Sequence, residues 1–364
     1  MTDTTASGGS TGSEHSSAAE QIIVVGAGIV GASIAYHLAA SGGRVTLIDA
    51  GLPGEGATGE SFGWVGRPPK PARPSHPLRA LAQAEFRRLE SELPGLEIQW
   101  EGSLIWDGFS ESPDPELETA RAGTLEHRLR RPPHSAFHSP GDAAIDPLLV
   151  TRRLVAAAVE QGAELRTGTP VTGIAREAGR VSGVETAGGL IRGAFVVLAA
   201  GAGSAALCPP LREDPVILSS PAVLARLRTA PGLVRGIVGT GDFELRQHAD
   251  GTLWAPRDYE GETTAEDFAL TAQAAADDAL AYFDSTDPIE PISAGVGWRP
   301  MIADGEPLIG PHPKLAGLSL AVMHQGVTLA AAVGRLFAAE LISGAAAPEF
   351  ADCRPSRFLV AYDA

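Results

Sequence analysis

From Gln21 onward, short runs that are apolar throughout alternate with longer stretches in which apolar residues recur every three or four positions. Gln21 to Val25 is one such run and reads as a buried strand, Ile29 to Ala40 carries helical spacing, and Arg44 to Ile48 is a second apolar run closing on Asp49. Together they predict a strand–helix–strand unit. The pattern then breaks: Gly and Pro dominate 51–77, and "GRPPKPARPSHP" (66–77) excludes both a helix and a central strand, so a loop is expected. Helical spacing returns at 77–93 and, after the acidic "SPDPELE", at about 115–130.

In the second half, "DPLLVTRRLVAAAVEQGAEL" predicts a helix opening on Pro147 and ending near Gly162, with short strands following at 163–167, 170–177, 180–186 and 190–193. "FVVLAAGAGS" (195–204) is another apolar strand that runs into glycine. Strands are expected over 215–255 and a polar helix over 264–283. The end pairs "GLSLAVMHQG" with "VTLAAAVGRLFAAELISG", a strand and then a helix capped by Gly344. Three strand–glycine–helix segments are thus separated by unlike material. The expected fold is α/β, a Rossmann-like dinucleotide domain assembled from 21–80, 145–212 and 292–350, with a strand-rich α+β substrate domain from 81–144 and 213–291. Residues 1–20, rich in Ser, Thr and Gly, read as a disordered tail without the basic start or apolar centre of a secretory signal.

Composition narrows the partners. The 28 Lys+Arg against 44 Asp+Glu give a net charge of −16, which leaves nucleic acid without an electrostatic foothold. Two cysteines, Cys208 and Cys353, exclude a disulfide framework and a four-thiolate zinc site and point to a cytoplasmic setting. No uninterrupted apolar run has the length of a membrane span, since His324, Gln325 and Arg335 break the C-terminal stretch. The oligomeric state is not encoded in any pattern found here.

Gly26, Gly28 and Gly31 follow a strand and open a helix, the context in which GxGxxG binds a dinucleotide. Gly26 permits the tight turn, Gly28 lets a pyrophosphate approach the backbone, and Gly31 lets helix and strand pack closely. The helix N-terminus, with Ala27, Ile29 and Val30 around it, offers free N–H groups to the anion. Asp49, with Ala50 beside it, stands where a carboxylate accepts from a ribose hydroxyl. The motif alone leaves NAD and FAD open.

The chain resembles the superfamily of D-amino-acid oxidase, glycine oxidase and sarcosine oxidase over most of residues 20–345. Four blocks carry the resemblance. The first extends the glycine motif through Ala35, Leu38, Ala39 and Gly42, and the second is "GATGESFGWVG" (56–66), similar to the family's loop near the pyrophosphate and isoalloxazine. The third is "VVLAAGAGS" (196–204). The fourth is "GVGWRPMIADGEPLIGPHP" (295–313) followed by "AVMHQGVTLAAAVG" (321–334). The resemblance implies FAD, contacted by Thr58 and Ser61, by Val171, by Ala200, Gly201 and Gly203, and by Gln325, Gly326, Val327 and Thr328. Binding is expected to be noncovalent, because no cysteine stands near Gly297, close to where sarcosine oxidases attach their flavin. His324 joins the "MHQGVT" turn, whose helix N-terminus can face the flavin edge where negative charge develops.

Arg299 in "WRP" matches the arginine that holds the substrate carboxylate in the family's amino-acid oxidases, a role suited to a guanidinium fork. Arg246, Trp64 and Trp298 are weaker pocket candidates. The implied activity is oxidation of a C–N bond in an amino acid or N-substituted amino acid, amine to imine with hydride to the flavin, and oxygen as the acceptor with peroxide release. The alternatives are a dehydrogenase with a quinone or protein acceptor and a non-catalytic flavin-binding subunit. No metal is expected: His134 and His138 have helical ligand spacing, but "RPPHSAFHSP" cannot be a helix. "GGSTG" (8–12) matches a nucleophile elbow without its strand or its helix.

Overall fold

The computed structural model of the chain describes residues 20–66, 73–106, 118–241 and 243–359. The expected tail, save Glu20, lies outside them, as do 67–72 of the Pro-rich stretch and most of "SPDPELE".

Two sheets organise the molecule. The first has six strands in the spatial order Leu308–Pro311, Leu318–Val322, Phe195–Leu198, Ile22–Val25, Val45–Ile48 and Glu164–Arg166. Its pairings are parallel except at the Leu308–Pro311 edge, and Val24 lies opposite Val197 on one side and Leu47 on the other. A sheet covered on both faces should be apolar at every position, and these runs are. Ile22, Val24, Leu47 and Val197 meet one core with the helices Ile29–Ala40, His76–Glu92, Pro147–Glu160 and Gly326–Ser343. Ile23, Val25, Ile48, Val196 and Leu198 meet a second core, in which Val181 and Val184 of a three-stranded antiparallel sheet also lie. Gly326–Ser343 is long and apolar enough to cross a membrane, but it sits in the first core, packed on the glycine-rich helix: a Cβ on Gly334 would stand 2.0 Å from Ser33 Oγ.

The second sheet has eight strands, in the order Glu290–Ile302, Ile217–Arg228, Thr252–Arg257, Glu244–Gln247, Ile237–Gly239, Ser103–Ile105, Ala136–Ser139 and Glu118–Ala120. Alternation divides its faces. Ala225, Leu227, Leu245, Leu253 and Ala255 pack with Ala275, Ala276 and Ala279 of the helix Ala265–Tyr282, whose small side chains let it lie close. Their neighbours in sequence, on the opposite face, turn toward the first sheet.

Three expectations change. Among its described residues, the stretch expected as a helix at 115–130 forms the strand Glu118–Ala120 and the one-turn helix Ala122–Leu125, with Gly123, a poor helix former, inside that turn. The strand Glu290–Ile302, assigned from 292 onward to the dinucleotide domain, instead pairs along its whole length with Ile217–Arg228 in the second sheet. The helix His76–Glu92, assigned from 81 to the substrate domain, buries Leu78, Ala82, Phe86 and Leu89 in the core of the first sheet.

Candidate active site

A cleft of about 1050 Å³ runs between the two sheets. Its dinucleotide side begins at the first glycine turn. Gly26 has φ +104° and a Cβ there would come within 2.5 Å of Ala199 O, while a Cβ on Gly31 would lie 1.9 Å from Gly26 O. These two glycines, with Ala27 between them, are therefore required by chain-on-chain packing and lie behind the cleft wall. Gly28 differs: among the described residues the only atom near its missing Cβ is Thr58 Oγ1 at 3.1 Å, and it lines the cleft with Ile29 and Val30. Thr58 Oγ1 accepts from Ile29 N–H at 3.2 Å, and so holds the loop 56–66 against the start of the helix.

Asp49, at the end of the second strand, lines the cleft beside Ala50. Its carboxylate accepts from Ala27 N–H at 2.6 Å and Gly51 N–H at 2.8 Å, one bond to each oxygen. Both oxygens keep lone pairs for a ribose hydroxyl. Ser61, Val171, Ala200, Gly201 and Gly203 line the same wall, and no atom of the described residues stands within 4 Å of where a Gly201 Cβ would be.

At the other end of the cleft, Gln325, Gly326, Val327 and Thr328 open the long C-terminal helix. Thr328 Oγ1 donates to Trp64 O at 2.9 Å, and the Trp64 indole N–H donates to Asp142 Oδ2 at 2.8 Å. Gln325 Oε1 is buried with no partner among the described residues, an acceptor that calls for a donor from a ligand. His324 opens onto the cleft, whose walls strip it of water; that burial, then the charges of Arg299 and Arg79, hold its imidazole below the usual proton affinity.

The opposite wall is the face of the eight-stranded sheet. Arg299 lies there, its guanidinium donating from Nη2 to Ser220 Oγ at 3.0 Å and Pro221 O at 3.1 Å and from Nε to Ser220 O at 3.3 Å. Nη1 makes no bond among the described residues, so the arginine is braced but not saturated. Trp298 lines the cleft with 49% of its surface exposed and Tyr259 6.0 Å from its ring.

Arg246 is not brought to the cleft. It is 1% exposed, donates to Phe62 O at 2.5 Å and Ile145 O at 2.7 Å, and lies 4.2 Å over the Trp254 ring. Burial pulls its pKa down to about 9, against the raising effect of Asp146. It joins the sheet to the cofactor loop, as does Arg226, which donates to Glu60 Oε2 at 2.8 Å and Gly59 O at 2.6 Å. Sequence reasoning missed Arg226, and also Arg79, whose Nε is buried without a partner among the described residues, and Glu244. Alternation gave a signal for Glu244: it is two residues from Arg246 on one strand, hence on the same face. Among the described residues no group of His, Cys, Asp and Glu could hold a metal, and His138 lies on the strand Ala136–Ser139.

These features fit FAD. A glycine turn with an open helix start, a carboxylate at the ribose position and an orphaned acceptor beside a second helix start occupy one continuous cleft. The family model described as FAD dependent oxidoreductase (DAO) matches residues 21–340. The glycine oxidase of Pseudomonas aeruginosa is 30% identical, the match covering 89% of this chain and 95% of that one. Among solved structures, the glycine oxidase of Bacillus cereus superposes with a TM-score of 0.79 at 20% identity, covering 92% of this chain and 98% of that one. The L-amino acid deaminase of Proteus vulgaris, with its specific insertion deleted, gives a TM-score of 0.80 at 21% identity, covering 93% and 94%. With the family model matching residues 21–340 and a relative 30% identical over most of its length, the chain belongs to the DAO family of FAD-dependent oxidoreductases.

Proposed function

We propose that the protein oxidises the C–N bond of a small amino acid or N-substituted amino acid, with the substrate carboxylate on Arg299. The observation that carries the reading is a guanidinium braced on Ser220 and Pro221 at the cleft wall, with Nη1 left for a ligand. A carboxylate held there gains a charge-assisted pair in a partly desolvated site. The glycine oxidase relatives support both the substrate class and oxygen as the acceptor.

FAD, noncovalently bound, supplies the hydride acceptor for turning amine into imine. The protein supplies position and field. Gly28 and the helix start at Ile29 receive the pyrophosphate, Asp49 the ribose, and Gln325 with the N–H groups of Gly326 to Thr328 the flavin edge. His324, kept neutral at pH 7 by its surroundings, adds no cation to those of Arg299 and Arg79.

The reading is tested by adding amino and imino acids to the purified yellow protein without oxygen. At least one carboxylate-bearing amine should bleach the flavin. With oxygen as sole acceptor, peroxide should then form in step with turnover. Bleaching without peroxide would assign a dehydrogenase, and a flavin that no amine bleaches would overturn the reading.

A further inference from the structure

The face of the eight-stranded sheet that forms the cleft wall carries two ionisable side chains of opposite sign that open onto the cavity and have no ion partner among the described residues: Arg299 and Glu244. The register fixes their relation. Arg246 lies opposite Trp254, Trp254 opposite Arg226, and Leu224 opposite Gly295, so Glu244 lines up across the sheet with Gly295, four residues before Arg299. Three strand spacings of about 4.8 Å and four residues of about 3.3 Å put the two Cα atoms on the order of 19 Å apart along the face. Both side chains line the same cleft.

Glu244 is partly buried, and no hydrogen bond or ion pair holds it among the described residues. A carboxyl left in that state costs free energy unless a ligand satisfies it. The charged groups that share its surroundings are already committed. On its own strand Arg246 is bonded to Phe62 and Ile145, on the loop and the second strand across Glu60 is paired with Arg226, and Asp142 accepts from Trp64, Gln83, Ser103 and Ser139.

We propose that Glu244 is a catalytic residue that receives the amino group of the substrate whose carboxylate lies on Arg299, and that it removes the proton of the bound ammonium. In that step an N–H bond of the substrate breaks, an O–H bond forms on the Glu244 carboxylate, and the electron pair stays on nitrogen. The neutral amine is the form from which hydride leaves carbon. Burial alone raises the Glu244 pKa to about 7, so near neutral pH the group is partly ionised and poised to accept a proton. The inference rests on the proposed amine oxidation, and its test separates the two.

The test uses the FAD-loaded protein and two non-reacting ligands of equal size. 2-Methylalanine has an amino group but no hydrogen on its α-carbon, and pivalate replaces that amino group by methyl. Binding is read from the flavin spectrum as a function of pH. The wild type should prefer 2-methylalanine by about 10-fold or more, and Glu244→Gln and Glu244→Leu should both lose the preference. In parallel, anaerobic flavin reduction by the best amine should fall about 100-fold at pH 7 in Glu244→Gln and recover toward the wild-type rate at high pH, where the free amine is already neutral. A retained preference, or a Glu244→Gln pH profile that overlies the wild type, would overturn the proposal. If no amine reduces the wild-type flavin, the amine-oxidation reading fails, while the ligand preference still reports on Glu244.

Discussion

The two walls of the cleft are built from opposite materials. On the dinucleotide wall, backbone does the work: glycines remove side chains, helix starts offer N–H groups, and Asp49 is held by Ala27 and Gly51 N–H. On the sheet wall, side chains do it, and three arginines on one face have different tasks. Arg246 and Arg226 hold carbonyls of the loop 56–66, while Arg299 Nη1 has no partner among the described residues. A backbone site depends on local sequence; a side-chain site depends on which strand each residue joins. The difference is why the first wall tolerates almost no change at Gly26 and Gly31, whereas the second separates stability from binding residue by residue.

The harshest way to break this comparison is on the backbone wall. Gly31→Val puts a Cβ 1.9 Å from Gly26 O, where only a shift of backbone makes room. It should cost several kcal/mol, about 4 or more, and yield protein without yellow colour; a variant that still purified with bound FAD would show that the turn is not held by this contact.

Next comes the buried arginine of the sheet wall. Arg246→Met should lower stability by about 3 kcal/mol, because Phe62 O and Ile145 O lose their donors in a closed site. KM for substrate in the folded fraction should change little. Thermal denaturation beside steady-state kinetics checks this, and a raised KM at unchanged stability would move Arg246 into the pocket.

Arg299→Ala should do the reverse, lowering kcat/KM for a carboxylate substrate by about 2–3 kcal/mol with the melting temperature nearly unchanged. Arg299→Lys should restore part of the loss, since an ammonium keeps the charge without the fork. Equal kinetics in all three forms would place the substrate carboxylate elsewhere.

The smallest effect is on pH. Burial, then the charge of Arg246, holds the His248 pKa at about 4, below its ordinary 6.5. Between those values the unfolded chain binds a proton that the native protein refuses, so this group's contribution is present above pH 6.5 and is lost as pH falls toward 4. Glu244 acts oppositely. Its native pKa of about 7 against an ordinary 4.5 gives a contribution present below pH 4.5 and lost as pH rises through 7. In the cofactor-free protein the two nearly cancel from pH 4.5 to 6.5. Glu244→Gln should unmask the His248 slope, so that stability rises with pH across that window by up to about 2 kcal/mol. Parallel melting-temperature profiles for variant and wild type would show that the two groups do not oppose each other.

Much of the dinucleotide wall was readable from residues alone. Gly28, Thr58, Asp49, Ala200 and Gln325 all reach the cleft, because each stands at the end of a strand, in the glycine loop or at a helix start whose geometry follows from neighbours close in sequence. Even there the three glycines of the turn differ in what surrounds them. Gly26 and Gly31 serve packing against Ala199 and each other, and only Gly28 presents an open face. The sheet wall was read unevenly. Arg299 was recognised by its motif, Arg246 was expected in the pocket and is sealed, and Glu244 two residues away passed unnoticed. Nothing local marks which of these side chains meets a cavity.

What sequence determined by itself, then, is what short range enforces: apolar runs that must be buried on both faces, glycines that permit one turn, and the helices that follow them. Only the tertiary structure decided that Glu290–Ile302 leaves the first sheet for the second, and that this places Arg299 at the cleft wall while Arg246 lies closed under Phe62. Strand pairing joins residues tens of positions apart, and an arginine's burial depends on what those distant strands bring over it.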